Sequence, residues 1–150
     1  MSCGCDVTQH FLGERLVKLA LIDTDILSLF FRGHSRVVSH FQSYTSVYPK
    51  VNFSIITYYE ILSGLKHRDA RKQLATFLEF VTENNLILLT EHAVDCAAEI
   101  YAVTRAQGRP IDDIDILIAG VAMANQWSLV THNRQHFEQI DGLEIVDWSE

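Results

Sequence analysis

Apolar and polar positions along the chain alternate between two rhythms. Residues 19–22 form a continuous apolar run of the kind shown by strands buried on both faces. Residues 51–56, 86–89, 128–130 and 143–146 read as further short strands. Between these runs the spacing becomes helical. Ile26, Leu27, Leu29 and Phe30 are stopped by Gly33, and Val37, Val38, Phe41 and Tyr44 precede Pro49. A helix over 57–65 places Ile61, Leu62 and Leu65 on one side. Another opens at Asp69, carries Leu74, Phe77, Leu78 and Val81, and closes at Asn84-Asn85. The helix over 91–107 stops at Gly108, and Pro110 with Asp112-Asp113 announces one over 114–125. Strands alternating with helices predict an α/β fold with a mainly parallel sheet of about five strands, covered on both faces.

The pattern starts only near residue 18, so 1–17 is expected to be a loose tail and 18–150 a single domain. A hydrophobic content of 48% with two prolines excludes a disordered chain. No apolar run approaches the roughly 18 residues of a membrane span, and the first residues lack the apolar stretch of a signal peptide. A soluble cytoplasmic protein with no membrane partner is expected. Of three cysteines, Cys96 lies in a helical pattern as a small core residue, whereas Cys3 and Cys5 are too closely spaced for the usual zinc pair. The formal net charge of −7 argues against a broad nucleic-acid-binding surface and leaves room for a small one. The densest basic stretch, 66–72, reads equally as a solvated helix face. Arg32, Arg36, Arg105, Arg109 and Arg134 are scattered cations.

Four side chains stand where strands hand over to helices or turns: Asp23, Glu60, Asp115 and Asn133. In parallel α/β proteins such seams gather at one edge of the sheet, where ligands bind. Three carboxylates sharing a pocket repel by several kcal/mol at an effective dielectric of about 20, unless a proton or cation intervenes. Oxygen-only donors favour Mg²⁺ or Mn²⁺ over zinc, and metal-assisted hydrolysis follows. Each residue also has a structural reading. Asp23 suits an N-cap, Glu60 completes a capping box with Thr57, and Asp115 complements a helix dipole beside Asp112 and Asp113. Asn133, with Thr131, suits a turn. Asp115 sits among Ile114, Ile116, Leu117 and Ile118, on a helix apolar nearly all round, so its acid is expected to line a cleft. Gly64, one turn after Glu60, leaves room for a ligand or backbone.

The order of these signals resembles the PIN-domain family: Leu21-Ile22-Asp23-Thr24, Thr57 to Glu60 with Gly64-Leu65, residues 111–119, and Val130-Thr131-His132-Asn133 with Phe137. The ending from Gly142-Leu143 to Trp148 resembles, more narrowly, the VapC-type toxins of bacterial toxin–antitoxin pairs. The resemblance covers about 19–148. It implies a three-layer α/β/α sandwich and a metal-dependent endoribonuclease. Asp23, Glu60 and Asp115 fall on the family's metal-holding acids, and Thr24 and Thr131 on its frequent hydroxyl positions. Asn133 stands where many members carry a fourth acid, a departure that weakens the case for a second metal; Asp25 is a conceivable substitute. The implied partners are an RNA substrate, a cognate antitoxin inserting a segment into the acidic cleft, and a second copy of the chain in a homodimer.

Rival chemistries lack their residues. None of the seven histidines forms His-Glu-x-x-His, and His132 and His136 have no acid at matching spacing, so a surface role is expected for both. Asp23-Thr24-Asp25 suggests a haloacid-dehalogenase-type phosphatase, but Leu27 occupies the place of the threonine that family requires. A non-catalytic RNA- or protein-binding module on the same fold is the alternative motivated by Asn133.

Overall fold

A computed structural model describes residues 9–12 and 15–150. In chain order the elements are β1 (Gln9–Leu12), β2 (Arg15–Lys18), β3 (Ala20–Ile22), α1 (Thr24–Phe31), α2 (Ser35–Thr45), β4 (Asn52–Ser54) and α3 (Ile55–His67). There follow α4 (Arg71–Glu83), β5 (Asn85–Ile87), α5 (Glu91–Ala106), α6 (Asp113–Ala124), β6 (Ser128–Val130), α7 (Arg134–Phe137) and β7 (Ile145–Val146). Five strands form one parallel sheet in the order β5-β4-β3-β6-β7. Side chains alternate across it with the period of two that strands impose. Ala20 and Ile22 join the core under α1 to α4, while Leu21 joins the core under α5 and α6. The result is the expected three-layer α/β/α sandwich. Each fully buried Leu, Ile or Phe in these two cores contributes about 1.5–3 kcal/mol.

The helix boundaries follow from local hydrogen bonding. Ser54 caps α3, its Oγ accepting from Thr57 N at 3.0 Å. The helix therefore starts earlier than expected. Thr57 is not its cap, and the capping-box reading of Glu60 is wrong. Asp69 does not open α4 either. It adopts φ 51 in the turn before it, accepts from Arg71 Nε at 3.0 Å, and the helix starts at Arg71. Asn84 closes α4, its Oδ1 accepting from Val51 N and its Nδ2 donating to Phe80 O. Asn85 then enters β5, so this strand begins one residue before the expected apolar run, and Leu88 lies outside it, 62% exposed. Gly33 and Gly108 take φ +77 and +69 just past α1 and α5, where left-handed backbone ends a helix.

β1 and β2 form a separate antiparallel pair, Gln9 opposite Lys18, so the expected loose tail includes a hairpin. It is tied to the domain by Tyr48 Oη, donating to Val17 O at 2.8 Å, and by Lys18 Nζ, 3.0 Å from Glu144 Oε2. Cys3 and Cys5 lie outside the described residues. Cys96 is a half-buried free thiol on α5. Among the described residues, no helix is long and apolar enough to cross a membrane.

Candidate active site at the carboxyl edge of the sheet

The chain builds outward from β3 to β4 and β5, then returns to place β6 on the other side of β3. The carboxyl ends of β3 and β6 therefore flank the point where strand order reverses, the usual position of a binding crevice in such sheets. Pairing Ile22 opposite Val130 puts Asp23 beside Thr131. Asp23 N donates to Val130 O at 2.9 Å, and Thr131 Oγ1 donates to Asp23 Oδ2 at 2.8 Å. Asp23 Oδ1 accepts from Thr24 N at 2.7 Å, so this residue caps α1 while standing in the crevice. The two readings of Asp23 are compatible.

Asp23 is only 5% exposed. Burial first, and then the neighbouring Asp25 and Asp115 carboxylates, push its acid from the usual 3.8 up to about 7; the hydrogen bonds from Thr131 and Thr24 oppose the rise. Asp25 is also raised, chiefly by burial. Its oxygens are engaged by backbone, accepting from Ile26 N at 2.7 Å and His132 N at 3.1 Å.

Glu60 reaches the same edge from α3. Thr24 Oγ1 lies 2.6 Å from Glu60 Oε1 and 2.9 Å from Thr57 Oγ1. A hydroxyl has one proton, and an ionised carboxylate only accepts, so Thr24 donates to Glu60 and Thr57 supplies the second bond. Asp115, 18% exposed, comes from the first turn of α6 on the opposite face. Its Oδ2 is 2.7 Å from His136 Nδ1, and Asn133 Nδ2 is also 2.7 Å from that nitrogen. Because Asp115 can only accept, Nδ1 carries the proton it receives, and the Asn133 side-chain amide lies against the same nitrogen. Asn133 N donates to Thr131 Oγ1 at 3.0 Å, joining the turn to the Asp23 pair. Asp112 caps α6 through Ile114 N, and Asp113 is exposed, as expected of both.

Both histidines given a surface role are engaged, although their rings remain largely exposed. The acids missing from their own helix arrive from elsewhere in the chain. Asp115 meets His136, and Asp147 Oδ2 lies 2.9 Å from His132 Nδ1. His136 touches Asp115 and Thr57 touches Thr24, although the sequence reading gave one a surface role and the other a place in a capping box.

Residues 20–143 match the family model of the PIN domain. The chain belongs to the PIN domain family. Over 130 residues it is 27% identical to Ribonuclease VapC1 of Haemophilus influenzae (strain R2866), covering 86% of this chain and 97% of that relative. Over 101 residues it is 32% identical to the tRNA(fMet)-specific endonuclease VapC of Shigella flexneri, covering 67% and 76%. The solved structure of DNA-bound VapBC from Salmonella typhimurium shares the fold with a TM-score of 0.78 at 26% identity, over 87% of this chain and 98% of that one. Within this PIN domain, the Asp115 charge acts on Asp23, and Glu60 is hydrogen-bonded to Thr24, the residue after Asp23.

No Lys or Arg pairs with any of these three acids among the described residues. The negative charge is thus held by hydroxyls, backbone amides and one imidazole. As they stand, no three His, Cys, Asp or Glu side chains among the described residues form a group that holds a metal ion. The donor chemistry nonetheless fits a hard divalent cation, since the acids are oxygen donors and the most buried one lacks a compensating positive charge. Binding requires the carboxylates to turn from their present hydroxyl and imidazole partners.

Proposed function

We propose that this PIN domain is an endoribonuclease that hydrolyses RNA phosphodiester bonds with Mg²⁺ or Mn²⁺, and that it serves as the toxin of a toxin–antitoxin pair. The observation that carries the reading is Asp23: a carboxyl buried at the switch point, facing other acids and no base. The likeness to VapC ribonucleases and to a VapBC complex supports the substrate class and an antitoxin partner. Asp23, Glu60 and Asp115 would hold the cation. Bound there, it would lower the pKa of a coordinated water and neutralise charge developing on the phosphate.

The chain's own residues set the geometry. Thr131 holds one oxygen of Asp23, and the Asn133 amide fixes the direction of the Thr131 hydroxyl. Thr24 orients Glu60, and His136 holds Asp115 until substrate or cation displaces it. Outer contacts of this kind fix the rotamers of metal-holding acids. Asn133 is neutral where many relatives carry a fourth acid, and Asp25 is committed to backbone amides, so a single cation is the expected stoichiometry. In the antitoxin complex the acidic crevice would attract an Arg or Lys from the antitoxin.

The test is to map new RNA 5′ ends after incubating total RNA with purified protein, in Mn²⁺ and in EDTA, for wild type and Asp115→Asn. Discrete ends that require both the metal and Asp115 are expected. Equal cleavage by Asp115→Asn, with contaminating nuclease excluded, would overturn the reading.

A further inference from the structure

The acidic crevice opens on one side into a cleft of about 490 Å³ between α1, α3 and α4. This is within the range of pockets that enclose small ligands. Thr24 and Glu60 line it together with Arg32, Arg68 and Lys72. Three cations in one cleft are notable on a chain whose formal net charge is −7. Among the described residues, none of the three forms an ion pair. Their neighbours behave differently. Arg71 pairs with Asp69 at 3.0 Å, while Lys66 and His67 complement the carboxyl end of α3 and do not line the cleft.

Glu60, Gly64 and Arg68 follow one another at intervals of four along α3, so they share a face. Arg68 Nη1 lies over the bare Gly64, 3.6 Å from where a Cβ would stand. The guanidinium thus reaches back along the helix towards the catalytic acid. The cleft also has an aromatic wall. Phe31 is 37% exposed, and its ring is fixed edge-on by Phe77 and Phe80, with centroids 5.9 and 5.1 Å away. A fixed, partly exposed ring beside unpaired cations is the combination that single-stranded nucleic acid recognises: bases stack on the ring and phosphates meet the cations.

We propose that this cleft seats the nucleotide next to the scissile phosphate, its base against Phe31 and its backbone phosphate on Arg68 and Lys72, with Arg32 contributing charge at the rim. The proposal rests on the ribonuclease reading and adds to it the path of the strand on one side of the cut. Gln73, which also lines the cleft, is placed to meet polar edges of that base. The assignment gives an acidic protein a local foothold for RNA without a broad basic surface.

The test separates binding from cleavage. A fluorescein-labelled single-stranded RNA of mixed sequence is titrated in EDTA against Asp23→Asn, alone and combined with Arg68→Ala plus Lys72→Ala, at several salt concentrations. The exposed positions of Arg68 and Lys72 keep folding intact, which thermal melts check. Losing two phosphate contacts should weaken binding about tenfold or more and lower the slope of log affinity against log salt by about 1.4. The control pair Lys66→Ala plus Arg71→Ala, equal in charge but outside the cleft, should leave the slope nearly unchanged. Phe31→Ala should weaken binding while leaving the salt slope nearly unchanged, since stacking carries no charge. Unchanged affinity and slope in the Arg68/Lys72 variant would overturn the proposal. Should wild type still cleave RNA in Mn²⁺ under those conditions, the nuclease reading survives and only the cleft assignment fails. RNA binding through the cleft without cleavage by wild type would instead overturn the nuclease reading.

Discussion

Thr131 Oγ1 donates a 2.8 Å hydrogen bond to Asp23 Oδ2, joining residues 108 apart in sequence. The bond exists because β3 and β6 are parallel neighbours with Ile22 opposite Val130, so the residue leaving each strand stands beside the other. Asp23 then has a donor on each oxygen yet remains a poor anion. Two neutral hydrogen bonds do not offset burial and the adjacent carboxylates, and its acid rises to about 7. The site is therefore strained in its charge while satisfied in its hydrogen bonds, which is where a cation has most to contribute.

Asp23→Asn should abolish Mn²⁺-dependent cleavage and stabilise the metal-free protein. In the folded state the acid is raised from 3.8 to about 7, so the native chain holds a proton that the unfolded chain releases. Stability falls as pH rises from about 4 to 7, and the full cost persists above that range. The asparagine carries no such cost, and its amide can keep both contacts by donating to Thr131. In EDTA the variant should gain on the order of 2–4 kcal/mol at pH 8 and little below pH 4. Melting temperatures of both proteins across this range provide the check; a variant less stable than wild type at pH 8 contradicts the charge argument.

The architecture was legible because parallel strands buried on both faces must be short and apolar, and because the chain alternates such runs with amphipathic helices. The placement of Asp23 beside Thr131 followed from topology, since each stands at a seam that the parallel sheet brings to one edge. Side-chain partnerships were less accessible. Thr57 to Glu60 imitates a capping box, yet Ser54 takes the cap and frees Glu60 for Thr24. His136 lacks an acid on its own helix and receives one from 21 residues earlier. The start of β5 at Asn85 was hidden because its amide bonds Asn52 on the adjacent strand, a contact that hydropathy does not record.

Two glycines on helices should respond oppositely to alanine. A Cβ on Gly120 would stand 2.6 Å from Ala93 O and 2.9 Å from Ala97 Cβ, so α5 and α6 would have to separate. Gly120→Ala should cost about 1–3 kcal/mol. At Gly64 the added carbon meets only Arg68 Nη1 at 3.6 Å, and Gly64→Ala should gain roughly 0.5–1 kcal/mol from helix propensity. Urea denaturation of the two variants tests the contrast, and equal effects would show that the helix spacing is softer than described.

The pair of His132 and Asp147 should be visible in the acid range. The hydrogen bond that His132 donates to Asp147, reinforced by the carboxylate's charge, raises the His132 pKa. Burial alone would raise Asp147, but hydrogen bonds from Ser149 and His132 prevail and lower it. A raised histidine stabilises below its unfolded value near 6.5 and loses this as pH rises through its folded value. A lowered aspartate stabilises above about 4 and loses this as pH falls. The interaction therefore counts between those limits. His132→Ala should cost more stability at pH 5.5 than at pH 9, by less than about 1 kcal/mol because the imidazole is exposed, and melts at the two pH values measure it. A larger loss at pH 9 would point to packing in place of charge.

Thr24 offers the sharpest separation of site geometry from fold. Its hydroxyl is 2.6 Å from Glu60 Oε1 and 2.9 Å from Thr57 Oγ1, while its backbone N–H serves Asp23. Thr24→Val keeps the backbone bond and nearly the same shape but leaves Glu60 without its donor. Loss of a contact that orients a metal-holding acid typically reduces metal affinity or activity about 10–100-fold. The expected outcome is a drop of that size in RNA cleavage, a weaker Mn²⁺ affinity by calorimetry, and a melting temperature close to wild type in EDTA. Thr24→Ser, which restores the hydroxyl, should recover most of both. Full activity in Thr24→Val would mean that Glu60 finds its working position without this hydroxyl, and that the bond belongs to the metal-free state alone.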